Sequence, residues 1–146
     1  MTPRDDLDRR LLALLQANAR DSTANLARKL GVARTTVLAR LGRLEREGVI
    51  VGYTVRLAHE EGDRGVQAFV GITVEPKLAR GVIRDLTRLP ELRQLASVSG
   101  EFDYVALLRA EGTARLDSLL DEIGEIKGVI KTTTSVVLAW RVDRSA

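Results

Sequence analysis

Ala27, Gly31 and Val37 stand at a mutual spacing that leaves the surrounding chain few choices. Ser22 is a reasonable N-cap for Thr23-Ala24-Asn25-Leu26-Ala27-Arg28-Lys29-Leu30, and Gly31 falls where a helix ends on a left-handed residue. A second helical pattern runs from about Arg34 to Glu47 and stops at Gly48, with Val37, Leu38, Leu41 and Leu44 as its apolar positions. Two helices meeting at so short a turn need a small residue at their crossing, a glycine in the turn and apolar residues to lock them together. Ala27, Gly31 and Val37 supply these, and Leu26, Leu30 and Val32 fill the remaining apolar slots. The pattern is that of a helix-turn-helix.

An earlier helix is predicted from about Asp5, where Leu7, Leu11, Leu14 and Leu15 form one stripe and the acidic first turn suits the helix dipole. Asn18 to Asp21 ends it. After Gly48, Val49 to Leu57 alternates as a strand, and the polar, glycine-bearing stretch from His59 to Gly65 reads as a linker. His59 is expected to be a solvated loop residue. Residues 1–57 then form one domain and 58–146 another.

Charge follows this division. Residues 1–57 hold 11 basic and 6 acidic side chains, while residues 58–146 hold 12 and 14. A basic head on a mildly acidic body points to a polyanion partner. Within the two helices Arg28, Lys29, Arg34, Arg40, Arg43 and Arg46 face the single acid Glu45. The face of the second helix carrying Arg34, Thr35, Thr36, Ala39, Arg40 and Arg43 offers arginine forks and short hydroxyls, the groups that read guanine edges and grip phosphates. These six positions are the candidate contacts to double-stranded DNA.

Other chemistries are short of parts. The chain has no cysteine and one histidine, so thiolate metal sites, thiol catalysis and a His-based relay have no residues to build them. No cofactor, metal or catalytic residue is expected. No apolar run approaches the roughly 20 residues of a membrane helix, and Met1 to Arg10 lacks an apolar signal core, so a cytoplasmic protein without a membrane partner is expected.

The second part alternates strands and helices. Val66 to Val74 reads as a strand, Pro76 to Leu89 as a helix ended by Pro90, Leu92 to Ser99 and Phe102 to Ala110 as strands, Thr113 to Ile126 as a helix and Val129 to Val142 as a last strand. This β-α-β-β-α-β order predicts an α+β fold of ferredoxin-like type, with both helices on one face of an antiparallel sheet. Strand alternation places Phe102, Tyr104, Ala106 and Leu108 on one face, and Val136, Leu138, Trp140 and Val142 together. Apolar residues left on the uncovered face call for a second copy of the sheet, and a homodimer is expected.

Leu7-Asp8, Ala27 to Val32, Arg40 with Arg43-Leu44-Glu45, and Glu47 to Ile50 with Gly52-Tyr53 resemble the Lrp/AsnC family, the feast/famine transcriptional regulators of bacteria and archaea. Val98 to Tyr104 and Thr132 to Ser135 resemble that family's effector-binding module, the RAM domain. The resemblance implies a winged-helix-like head on promoter DNA, a dimer that often builds octamers, and tuning by an amino acid or related metabolite held between C-terminal domains. Three positions depart from the family pattern: Ala33 lacks a capping hydroxyl, Gly42 sits in mid-helix, and Ala39 replaces a commonly basic side chain.

A zwitterionic effector needs an acceptor for its ammonium and donors for its carboxylate. Asp103 can supply the first, and backbone N–H groups of Gly100, Glu101 and Phe102 the second, with Thr132 and Thr134 within reach and Tyr104 as a wall. The same Gly-Glu-Phe-Asp run also fits an ordinary hairpin turn. The leading reading is a sequence-specific regulator. An architectural DNA-binding protein of little sequence preference is the alternative, and an enzyme is the least supported.

Overall fold

The computed structural model describes residues 4–56 and 65–144. These form two compact units. The predicted linker around His59 lies outside the described residues.

The first unit has three helices, α1 (Asp6–Ala17), α2 (Thr23–Leu30) and α3 (Arg34–Arg46). Asp5 caps α1 by accepting from the Asp8 N–H at 2.9 Å, and the Ser22 hydroxyl caps α2 by accepting from the Asn25 N–H at 3.1 Å. α2 ends on Gly31 with φ +68°, and the Val32 N–H returns to the Ala27 carbonyl at 3.0 Å. α3 starts at Ala33 without a side-chain cap. Leu11, Leu15, Leu26, Ala27, Leu30, Val37 and Leu44 form the core, joined at its edge by Leu41, Val49 and Ile50. Leu38 is the exception among the expected apolar positions of α3. It sits 100° around the helix from Val37 and is 58% exposed.

The strand expected over residues 49–57 is not formed. Residues 51–56 run without strand pairing, Val51 is 96% exposed, and Val55 is also exposed. Alternation fits an extended chain, but a strand also needs a neighbour to take its N–H and C=O groups, and this unit contributes none among the described residues. Leu57 lies outside the described residues. Tyr53 is fixed by its hydroxyl, which donates to Glu45 Oε1 at 2.9 Å.

The second unit is a four-stranded antiparallel sheet of β1 (Val66–Val74), β2 (Leu92–Ser97), β3 (Tyr104–Ala110) and β4 (Val129–Val136), in the order β2-β3-β1-β4. A 3-10 turn (Pro76–Leu78) leads into α4 (Ala79–Thr87), and α5 (Thr113–Gly124) joins β3 to β4. Both helices cover one face: Val82 and Leu86 of α4 and Leu116, Leu119 and Ile123 of α5 pack on Ala68, Val70, Ile72, Val74, Ala106, Leu108 and Ala110. This is the ferredoxin-like arrangement.

Glu91 and Arg115 tie the start of β2 to α5, with Arg115 Nε 2.6 Å from Glu91 Oε1. The guanidinium holds the Glu91 carboxyl below its ordinary range. A carboxylate depressed in the folded state stabilises above its ordinary titration range, and that contribution is lost as pH falls through the lowered value. Glu91→Gln is therefore expected to lower stability at pH 7 by no more than about 1 kcal/mol, and the gap from the wild type should close below about pH 4. Urea midpoints across pH 3–7 check this; a gap of constant size at every pH would contradict it.

Candidate functional site

Three consequences of helix geometry place the candidate DNA contacts. Val37, Leu41 and Leu44 turn one side of α3 to the core. Arg34, Thr35, Leu38, Ala39 and Arg46 are exposed, and together they form the outward ridge. Thr36, Arg40 and Arg43 sit on the flank and are partly covered. The six expected contacts thus divide into an exposed group (Arg34, Thr35, Ala39) and a flanking group (Thr36, Arg40, Arg43). Arg46 belongs to the ridge and is absent from the sequence-derived set, although 100° spacing from Ala39 and Gly42 would have found it.

Arg40 and Arg43 do not project freely. Arg40 Nη1 lies 2.5 Å from Asp5 Oδ2 and 3.1 Å from Asp8 Oδ1, and Arg43 Nη2 donates to Asp8 Oδ2. Asp8 is fully buried, so its carboxylate must be paired, and the two guanidiniums pair it. Hydrogen bonding from Arg40 holds the Asp5 carboxyl below its ordinary range and raises the Arg40 guanidinium further. The basic flank of α3 is thereby joined to the N-terminus of α1.

The candidate effector residues also divide, between the two faces of the sheet. Directly paired residues of antiparallel strands share a face. Thr132 pairs with Ile72 and Thr134 with Val70, so both point to the helix-covered side, and Tyr104, paired with Ile72, joins them there. Phe102 does not. Strand alternation places it beside Tyr104, yet β3 begins only at Tyr104, and the Phe102 ring crosses Gly71 on the opposite face. A Cβ at Gly71 would come within 2.6–2.7 Å of that ring, so only glycine fits. Asp103 makes the turn: its N–H donates to the Ile72 carbonyl at 3.0 Å, and its Oδ2 accepts from the Val74 N–H at 2.9 Å, beside the register shift at Thr73/Val74. One carboxylate oxygen thus satisfies the chain's own backbone. Gly100 and Glu101 are exposed in the preceding turn. Thr133, paired with Gly71, and not Thr132 or Thr134, is the threonine that shares the Phe102 face.

That second face is the aromatic one. The Phe69 and Trp140 rings meet edge to face at 5.8 Å, and Trp140 Nε1 donates to Gln67 Oε1 at 2.5 Å. β4 ends at Val136, earlier than expected, so Leu138, Trp140 and Val142 do not continue its alternation. Just past it the Val137 N–H still donates to the Gln67 carbonyl at 2.8 Å, and the chain beyond lays Trp140 on Phe69. Among the described residues no group of three acidic or histidine side chains could hold a metal, and no helix is long and apolar enough to cross a membrane.

Comparison with known proteins agrees with both halves. Residues 67–146 match the Lrp/AsnC ligand binding domain, and residues 4–51 match a winged helix-turn-helix DNA-binding domain. An uncharacterised HTH-type transcriptional regulator of Pyrococcus horikoshii is 36% identical over 136 residues, covering 90% of this chain and 91% of that protein. Escherichia coli AsnC superposes with a TM-score of 0.86 at 25% identity, covering 99% of both chains. A Neisseria meningitidis transcriptional regulator solved as a complex with L-Met has a TM-score of 0.83 at 24% identity, covering 97% of this chain and 94% of that one. A reading head of helix-turn-helix type and a ligand-binding sheet domain, in this order and over nearly the whole length, place the chain in the Lrp/AsnC family of transcriptional regulators.

Proposed function

We propose that the protein is a sequence-specific regulator that binds its operator as a homodimer, or a higher assembly of dimers, and answers to an amino acid. The observation that carries the DNA part is the outward ridge of α3, where Arg34, Thr35, Ala39 and Arg46 stand exposed along one side. Arg34 and Thr35 open the helix and reach base edges or phosphates, and the small Ala39 lets the backbone come close to the groove. Arg40, Arg43 and Thr36 flank that ridge. The aromatic sheet face, with Trp140 and Phe69 partly exposed, supports a second copy as its cover.

The amino-acid part draws on the chemistry of the Gly100 to Tyr104 turn and on the L-Met held by the meningococcal regulator. Phe102 on one face and Tyr104, Thr132 and Thr134 on the other do not close a pocket within one C-terminal domain. A site assembled between domains of different chains accounts for that division.

Binding selection on random duplexes, run with and without a panel of amino acids, tests the reading. A defined operator should emerge, and one amino acid should shift its affinity. Arg34→Ala is expected to cost about 1–3 kcal/mol on that operator while changing random-duplex affinity far less. Equal binding to operator and random DNA at physiological salt would select the architectural alternative.

A further inference from the structure

Arg40 is held by two carboxylates of unlike standing. Asp8 is fully buried and engages both Arg40 and Arg43, so it is a fixed part of the unit. Asp5 is different: its side chain is half exposed, and it approaches Arg40 Nη1 at 2.5 Å. Its other oxygen accepts from the Asp8 N–H at 2.9 Å and caps α1. A guanidinium presents five donors in a plane, and it grips carboxylate and phosphate oxygens with the same geometry. An exposed carboxylate bonded to an arginine on the flank of a DNA-binding helix therefore stands where a backbone phosphate oxygen would bind.

We propose that Arg40 and Arg43, oriented by Asp8, form a seat for a DNA backbone phosphate, and that the Asp5 carboxylate occupies the Arg40 side of that seat in the free chain. The proposal rests on α3 binding DNA and assigns its flank. When the duplex docks, a phosphate oxygen takes Asp5's place at Arg40, while the Asp5 cap on α1 and the Asp8 pairs stay. Arg40 then positions the head on the backbone, and base choice passes to the exposed ridge. Asp5 lowers affinity for every duplex alike, because the phosphate it competes with carries no sequence.

Asp5→Asn removes the competing charge and keeps the cap, since asparagine caps as well as aspartate. Fluorescence anisotropy of the full chain on a labelled random-sequence duplex reads the outcome. Asp5→Asn is expected to bind roughly three- to tenfold tighter at low salt, the scale of one exposed ion pair plus one repelled charge. Asp6→Asn removes the same charge from the neighbouring residue, for which the described residues show no ion pair, and should gain less than about twofold. On an Arg40→Met background the Asp5→Asn gain should fall to the less than about twofold effect of Asp6→Asn. Equal gains for Asp5→Asn and Asp6→Asn overturn the proposal, as does an Asp5→Asn gain that is undiminished by the loss of Arg40. A wild-type chain that binds no duplex overturns the DNA reading itself, a result distinct from either.

Discussion

Substituting Met for both Arg40 and Arg43 is expected to destabilise the N-terminal unit by about 3–5 kcal/mol, more than the two single losses combined. The reason is the buried carboxylate of Asp8. Either arginine alone still compensates it, so a single substitution removes one partner of two, and its cost stays near 1 kcal/mol. With both gone, a fully buried carboxylate remains in the unit without either of its counter-charges. The α1 dipole, whose positive end lies at Asp8, returns only about 0.5–1 kcal/mol. Adding Asp8→Asn to the double variant should recover a large share, because a neutral amide needs no counter-ion. Denaturant midpoints for the four combinations measure the coupling. Small, additive losses would show that Asp8 reaches water in ways its burial denies.

Gly128→Ala is expected to cost about 3 kcal/mol in the C-terminal unit. Gly128 has φ +106°, outside what side-chain-bearing residues adopt with ease, and an added Cβ would lie 2.7 Å from Leu78 Cβ and 3.0 Å from Val82 Cγ2. Leu78 Cβ is anchored to the backbone and cannot swing away. The Gly128 carbonyl also accepts from the Glu75 N–H at 2.8 Å, which fixes the strand entry against the turn before α4. Strain and overlap therefore add. Gly124→Ala is the matched control: it lies at the end of α5 with nothing within 4 Å of its would-be Cβ. That change should be neutral or stabilising by up to about 1 kcal/mol. Comparable losses for the two variants would locate the cost elsewhere than in the crowding at Leu78.

The helices and the order of the strands were legible because periodicity and caps are local. Ser22, Gly31 and the leucine stripes say where helices begin, end and face, whatever lies around them. The departures all concern relations that local pattern does not encode. Val49 to Leu57 alternates correctly, but alternation cannot supply the neighbour a strand requires. Phe102 reads as part of β3 by parity, yet the turn closed by Asp103 resets the parity, and the ring lands on Gly71. Arg40 and Arg43 carry the charge expected of DNA contacts. Their engagement with Asp5 and Asp8, more than thirty residues earlier, depends on how α1 crosses α3. For the effector residues, residue type indicated a plausible chemistry, while the division between faces emerged only from strand register.

Trp140 is the single tryptophan of the chain, and it rests on Phe69 over the aromatic side of the sheet with its indole N–H held by Gln67. Its emission consequently comes from one known place. Whatever covers or uncovers that side changes the water around one indole, so association could be followed in unlabelled protein by the wavelength of its fluorescence.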